Sequence, residues 1–233
     1  MIGISAAPLS VSRRILAILS ILGVFVFGVF ITWLYIVKLR LPLPRDPLGH
    51  KLATTLLQSV TTILLPYLWA WRFLGLSPAQ LGFTTKNLWK SVLWGCALYA
   101  LGFLAFSTCT GDPLLSRHPI RHANASQGTA ILLTMGLHAA TTDFATRGYI
   151  LLALAAFGPV WLAIVMQNLV WFYGHIYEIN LFAHCLGMPV ALTLFIGLGL
   201  LGDIIALRTH NVAGLAIAHV VLNVAMALSI RGM

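Results

Sequence analysis

Long apolar segments, separated by short polar stretches, run along most of this chain. Residues 15–37 form the clearest one, an uncharged run between Arg14 and Lys38. Because about 18 or more consecutive apolar residues can cross a bilayer as an α-helix, we predict a transmembrane helix here. The run is longer than the apolar core of a signal peptide, and no small-residue cleavage site follows it. We therefore expect this helix to be retained.

The same pattern predicts several more helices. They are expected near the following positions: 52–71, 91–108, 129–146, 148–156, 160–177, 181–208 and 211–230. Residues 73–90 differ because they are amphipathic, and Ser77 followed by Pro78 predicts the start of a short interfacial helix. We therefore predict an all-α fold, a polytopic transmembrane bundle of about six to eight helices.

Composition supports a membrane protein. Hydrophobic residues make up 60% of the chain and charged residues 8%, whereas soluble domains average about 45–50% and about 25%. The net charge of +9 does not indicate a nucleic-acid partner, because the basic residues are spread over the ends of the predicted helices, as in membrane flanks. They are Arg13, Arg14, Lys38, Arg40, Arg45, Lys51, Arg72, Lys86 and Lys90. The expected partner is a lipid bilayer, in a prokaryotic cytoplasmic or internal membrane.

Three polar pairs interrupt the apolar segments. They are Asp143 with Arg147, Trp171 with His175, and His219 with Asn223. Each pair is spaced i,i+4, which places both side chains on one face of a helix. An ionisable group inside a membrane costs roughly 2.5–3.5 kcal/mol on insertion scales, so each pair is a candidate functional site. Taken alone, these pairs are also compatible with a structural ion pair or with interhelical hydrogen bonds.

The order of these pairs matches a known set of motifs. TDFATRG at 142–148 corresponds to EExxxR followed by glycine, WFYGH at 171–175 to aromatic-xxx-His, and HVVLN at 219–223 to HxxxN. The chain therefore resembles the CPBP family, which includes type II CAAX prenyl endopeptidases and bacteriocin-processing, Abi-like intramembrane proteases. LGLSPAQLGF at 74–83 is similar to the amphipathic segment upstream of that family's core. The resemblance implies a core bundle with a polar intramembrane site over 73–233, and N-terminal membrane-anchoring helices over 1–72.

The resemblance also implies roles for individual residues. In the family, the first glutamate activates a water, the second-motif histidine positions it, and the third motif hydrogen-bonds the oxyanion. His175 then matches the water-positioning histidine, His219 and Asn223 match the oxyanion donors, and Arg147 matches the arginine that orients the carboxylate. The implied mechanism is of the glutamate type, with a membrane-proximal peptide as substrate, and we expect no cofactor or metal.

The first motif departs from the family at its most important position. Thr142 stands where the first glutamate is expected, and Asp143 stands at the second position. A threonine hydroxyl is not a base near neutral pH, so we expect a weakened or inactive intramembrane endopeptidase homologue. Asp143 could serve as the base after a small helix rotation, or His175 could serve while Asp143 and Arg147 are structural.

Two functions that involve no peptidase chemistry are also possible interpretations. The chain could be a non-catalytic scaffold or binding subunit of a larger membrane complex, with a membrane protein as its partner. Paired helix histidines such as His175 and His219 could instead bind haem or a metal.

Overall fold

Eight helices make up most of the computed structural model, which describes residues 10–38, 47–110 and 125–229. We number them α1 to α8. They run as follows: α1 over Val11–Trp33 with a π-helical end at Leu34–Lys38; α2 over Pro47–Ser59, π-helical Val60–Leu64 and Leu65–Leu74; α3 over Leu88–Thr110; α4 over Ala125–Asp143, π-helical Phe144–Ala153 and Leu154–Phe157; α5 over Val160–Gly174; α6 over Ile176–Leu186; α7 over Met188–Thr209; α8 over Val212–Ser229. The described ranges contain no β-strand. The predicted helical bundle is confirmed.

Three helical segments are long and apolar enough to cross a membrane. They are Val11–Ile36 in α1, Leu52–Leu74 in α2 and Met188–Thr209 in α7. Shorter apolar helical segments lie in α3, α5 and α8. Many large apolar side chains point outward from the bundle, as expected where lipid replaces water around a protein. The length and composition of these helices fit an integral membrane protein.

Helix α4 runs through the centre of the bundle. All nine residues from Ala145 to Ala153 are buried, and they form most of its π-helical segment. This segment packs in one apolar cluster with Ile21 of α1, Ala70 of α2 and Leu215 of α8. A helix that is buried on all sides is apolar all round, so the charges of Asp143 and Arg147 stand out against this core.

The predicted interfacial helix at 73–90 is wrong beyond its first turn. Ser77 and Gln80 form the expected reciprocal capping contacts: the Ser77 amide donates to Gln80 Oε1 at 2.8 Å, and the Gln80 amide contacts Ser77 Oγ at 3.3 Å. The chain then turns at Gly82, whose φ of 84° is left-handed. This turn lets the Gly82 carbonyl accept from the amides of Val212 and Ala213 at the start of α8. Packing against α8 therefore ends the helix that the capping residues begin.

Two helix boundaries differ from those predicted, and a glycine lies at each. Gly148 was expected to separate two helices, but α4 continues through it, and a Cβ there would lie 2.1 Å from the Tyr67 hydroxyl oxygen. The helix predicted over 181–208 is divided, because Gly187, with a φ of 82°, separates α6 from α7. A glycine can permit close packing or reverse the chain, and the neighbouring residues decide which.

Candidate functional site

Asp143 is the most densely hydrogen-bonded side chain of the site. Its Oδ1 accepts from Arg147 Nη1 and from the Tyr99 hydroxyl at 2.8 Å. Its Oδ2 contacts the same hydroxyl at 2.7 Å and His219 Nδ1 at 3.0 Å. The carboxylate is fully buried. Helices α3, α4 and α8 therefore meet at this one carboxylate.

His219 lies on the more accessible side of this cluster. Its side chain is 17% exposed, whereas that of Asp143 is 0% exposed. The imidazole stacks on the Tyr99 ring, with centroids 4.2 Å apart and an interplanar angle of 15°. Two contacts, one at Nδ1 and one across the ring face, thus hold the imidazole in a defined orientation.

Arg147 extends the polar cluster toward α5 and α7. Its Nε lies 3.7 Å from Asp203 Oδ1, a distance that allows an ion pair but not a hydrogen bond. Its guanidinium carbon lies 4.6 Å from the centroid of the Trp171 ring, a cation–π contact. Gly202 makes room for it, because a Cβ there would lie 2.2 Å from Arg147 Nη2. Its Nη1 also donates to the Tyr99 hydroxyl at 3.4 Å, so the guanidinium of α4 contacts α3, α5 and α7.

Asp203 has fewer hydrogen-bond donors around its carboxylate than Asp143 has. Asn168 Nδ2 donates to Asp203 Oδ2 at 2.7 Å and to the Ile164 carbonyl at 2.9 Å. Several buried polar atoms on this side have no hydrogen-bond partner among the described residues. They are Asp203 Oδ1, Arg147 Nε and Nη2, Asn168 Oδ1, Trp171 Nε1 and both amide atoms of Gln167. Buried polar atoms usually have partners, so this side differs from the Asp143 side.

His175 joins the cluster only indirectly. It lies between the end of α5 and the start of α6, and its Nδ1 is 2.8 Å from the Trp171 carbonyl oxygen. Its ring lies over the Trp171 ring, with centroids 3.7 Å apart. Because Trp171 also contacts Arg147, the indole connects the second motif to the first.

The remaining motif positions do not join this network. The Thr142 hydroxyl donates to the His138 carbonyl one turn earlier in α4, at 3.0 Å. Asn223 lies one turn after His219 on α8, and it makes no hydrogen bond with any residue in the described ranges. Of the five predicted site residues, the structure brings Asp143, Arg147 and His219 into direct contact. It links His175 through Trp171 and leaves Asn223 apart.

Sequence reasoning missed Tyr99, Asp203 and Asn168. Asp203 carried the signal that singled out Asp143, because it is an acid inside a long apolar segment in a chain with only 5 acidic residues. Tyr99 carried no such signal, since tyrosines are common at membrane interfaces. Asn168 became visible only through its contact with Asp203.

No three histidine, cysteine or acidic side chains within the described ranges are grouped closely enough to hold a metal ion together. The site is therefore built from an ion pair, a phenol and imidazoles. Such groups can orient one another and exchange protons.

Comparison with known proteins bears on the part of the chain that carries all three motifs. Residues 124–225 match the family model described as Type II CAAX prenyl endopeptidase Rce1-like. This segment is Rce1-like. The resemblance inferred from the motifs is thereby confirmed over a little less than half of the chain. Searches of curated proteins and of solved structures found no match.

Residues 124–225 are thus similar to CAAX proteases, and the long apolar helices fit an integral membrane protein. The Rce1-like match includes Asp143, Arg147, His175, His219 and Asn223. It does not include Tyr99, which reaches the site from α3. The roles of the individual site residues stay predictions.

Proposed function

We propose that the protein is a multi-pass membrane endopeptidase homologue in which hydrolysis is strongly weakened by loss of the motif glutamate. One observation carries this proposal: neither residue at the two acidic motif positions offers a free carboxylate. The Thr142 hydroxyl is bonded to its own helix backbone. Asp143 is buried, and both of its oxygens are occupied by protein donors.

A general base must reach the proton that it removes, at roughly 2.6–3.2 Å between heavy atoms or through one water. An ionised carboxylate has about four acceptor positions. Three donors fill three of them, because the single Tyr99 hydroxyl proton serves both oxygens, and the side chain is 0% exposed, which leaves no opening for water. A catalytic water would therefore have to displace Arg147, Tyr99 or His219. General-base catalysis typically contributes about 10²–10⁴-fold, so we expect a slow enzyme.

The substrate class follows from the family resemblance and the membrane setting. Type II CAAX prenyl endopeptidases, by their description, act on prenylated CAAX peptides, and the site lies among apolar helices. We infer a membrane-proximal peptide bond as the substrate, in a prokaryotic cytoplasmic or internal membrane. Residues 1–72 would anchor the core formed by residues 73–233.

Restoring the glutamate tests this proposal. A fluorogenic prenylated CAAX peptide is incubated with the full-length protein in detergent or liposomes, and cleavage is followed for the wild type, Thr142→Glu and Thr142→Gln. We expect slow cleavage by the wild type, a gain of roughly 10²-fold for the glutamate variant and no gain for glutamine. Glutamine has the size of glutamate without its basicity. Rapid cleavage by the wild type, or equal rates for the two variants, would contradict the proposal.

A second candidate is a non-catalytic subunit of a membrane complex. The closed network around Asp143 favours it, because this network is complete without a substrate. This function predicts a stoichiometric membrane protein partner that co-purifies in gentle detergent. Its association should survive Thr142→Gln and His175→Ala. Loss of the partner on either substitution would argue against this second function.

A further inference from the structure

We propose that His219, oriented by Asp143, is the general base of this site and replaces the glutamate that the first motif lacks. This inference rests on the proposed function, because it concerns how the slow hydrolysis would proceed. It changes the role that the family resemblance implies for His219, which is that of an oxyanion donor. It also gives Asp143 the role of a positioning residue.

The position of the imidazole proton follows from the partner of Nδ1. Asp143 Oδ2 lies 3.0 Å from His219 Nδ1, and Arg147 and Tyr99 both donate to the same carboxylate. An ionised carboxylate can only accept, so His219 Nδ1 is the donor. In a neutral imidazole the other nitrogen, Nε2, then holds the lone pair. A buried carboxylate that fixes this tautomer is the arrangement by which the histidine of a catalytic triad is made a base.

The accessible part of His219 is suited to this role. Asp143 and Tyr99 cover the Nδ1 edge and one face of the ring, whereas 17% of the side chain is exposed. Nε2 is on the edge of the imidazole away from Nδ1. It makes no hydrogen bond with any residue in the described ranges. A water could therefore reach Nε2, although it could not reach Asp143 without displacing a donor.

The same tautomer is incompatible with an oxyanion-donor role. A neutral His219 with its proton on Nδ1 has no N–H at Nε2 to donate to a developing oxyanion. Donation from Nε2 would require either the other tautomer or the imidazolium. The contact with Asp143 therefore separates the two roles, and it favours the base.

His175 is less suited to act as the base. Its Nδ1 contacts the Trp171 carbonyl oxygen at 2.8 Å, which also leaves the lone pair on Nε2. However, a neutral carbonyl stabilises an imidazolium less than a carboxylate does. The Arg147 cation also lies on the Trp171 ring that His175 stacks against. His175 thus has no carboxylate to orient its ring, whereas His219 has Asp143.

The proposed step is balanced with water as the only co-reactant. The water oxygen forms a bond to the peptide carbonyl carbon, the carbonyl π electrons move to its oxygen as an oxyanion, and His219 Nε2 takes one water proton. The tetrahedral intermediate then collapses, its carbon–nitrogen bond breaks, and the imidazolium gives its proton to the leaving amine. Asp143 stays ionised throughout, paired with Arg147.

The tautomer can be measured without any activity. Nitrogen-15 NMR of full-length protein labelled at histidine, with His219→Gln to assign the signal, reports which ring nitrogen is protonated. We expect a neutral His219 at pH 7 with its proton on Nδ1 and none on Nε2. Protonation of Nε2, in the neutral ring or in an imidazolium, would overturn the inference. The His175→Gln spectrum is the matched control for the assignment.

Cleavage assays test the chemical role. Glutamine at 219 can still donate to Asp143 but is not a base, so we expect His219→Gln to slow cleavage of the prenylated CAAX peptide by about 10²-fold or more. His175→Gln should slow it less. In the Thr142→Glu background the loss on His219→Gln should shrink, because the glutamate then serves as the base.

The outcomes separate this inference from the proposed function. If Thr142→Glu gains activity while His219→Gln leaves the wild-type rate unchanged, the inference fails and the proposed function stands. The same holds if only Thr142→Glu cleaves and the wild type is inactive. If neither protein cleaves, the proposed function fails, and this inference fails with it.

Discussion

Two buried carboxylates contact different nitrogens of the Arg147 guanidinium, and their surroundings differ. Three donors contact Asp143: Arg147, the Tyr99 hydroxyl at 2.7 and 2.8 Å from the two oxygens, and His219 Nδ1 at 3.0 Å. Asp203 accepts one hydrogen bond, from Asn168, and lies 3.7 Å from Arg147 Nε. Both side chains are fully buried. The membrane setting and the burial are shared, so the difference lies in the number of donors.

The comparison shows how a buried charge is kept in an apolar bundle. Removing one partner of a buried ion pair is costly because the other charge is left uncompensated. Asp143 has enough donors to repay its desolvation, so it acts as a fixed point between α3, α4 and α8. Asp203 has fewer donors. The buried polar atoms around it that lack a hydrogen-bond partner show that fewer hydrogen bonds form on its side of the guanidinium. We therefore expect the two aspartates to respond differently to neutralisation.

Removing the shared cation should have the largest effect. Arg147→Met leaves two buried carboxylates without a counter-charge, and we expect a loss of about 3–5 kcal/mol in the free energy of unfolding. Thermal unfolding of the full-length protein in detergent measures it. Arg72→Met removes an exposed arginine from α2 and should change stability by no more than about 0.5 kcal/mol. Equal losses of stability in the two variants would show that Arg147 does not stabilise the two buried carboxylates.

Neutralising each aspartate separately tests the comparison directly. Asp143→Asn should destabilise the protein by about 3 kcal/mol, because the Arg147 charge loses its nearest partner. Asp203→Asn should cost less than about 1 kcal/mol or stabilise the fold, because it removes a poorly compensated charge while keeping a group that can bond Asn168. Chemical unfolding curves of both variants in the same detergent give the two values. Similar losses at both positions would refute the distinction between them.

Deleting one donor should have a smaller effect. Tyr99→Phe keeps the ring that stacks on His219 but removes the hydroxyl that contacts both Asp143 oxygens. A hydrogen bond to a charged group is worth about 1.5–3 kcal/mol, and we expect a loss in that range. Tyr173→Phe is the control, because Tyr173 is 76% exposed. A change in Tm no larger than that of the control would mean that Tyr99 is dispensable.

Crowding the guanidinium should have a smaller effect than removing its charge. Gly202→Ala places a Cβ 2.2 Å from Arg147 Nη2, so the arginine must shift, and overpacking of this kind costs about 1–3 kcal/mol. Gly197 lies on the same helix, α7, with no atom within 4 Å of an added Cβ. Gly197→Ala should therefore be neutral or slightly stabilising, because alanine favours a helix over glycine. If Gly202→Ala and Gly197→Ala lowered the Tm equally, the loss would not come from the contact with Arg147.

Some of this molecule could be predicted from local pattern alone. The all-α fold, the membrane class and the approximate positions of most helices follow from the length of the apolar runs, because crossing a bilayer needs a minimum number of apolar residues. The i,i+4 spacing of Asp143 and Arg147 likewise predicted their contact, since both residues lie on one helix. These are properties of short stretches of chain.

Other features were decided by packing between helices far apart in sequence. The capping residues Ser77 and Gln80 begin a helix that does not continue, because Gly82 turns to meet α8. α4 continues through Gly148, where the Tyr67 hydroxyl occupies the space that a Cβ would need. In each case a neighbour from another helix overrides the local signal.

The candidate site also combines features that follow from the sequence with features that depend on helix packing. The sequence alone identified five candidates, because each is a polar residue within an apolar segment. They are Asp143, Arg147, His175, His219 and Asn223. Only the tertiary structure brought the Tyr99 hydroxyl and the His219 imidazole to the same carboxylate, across 44 and 76 positions of sequence. The bond from the Thr142 hydroxyl to the His138 carbonyl is, by contrast, a local contact within α4. The reason is physical: a single helix decides which residues share its face, whereas the packing of α3, α4 and α8 decides which faces meet.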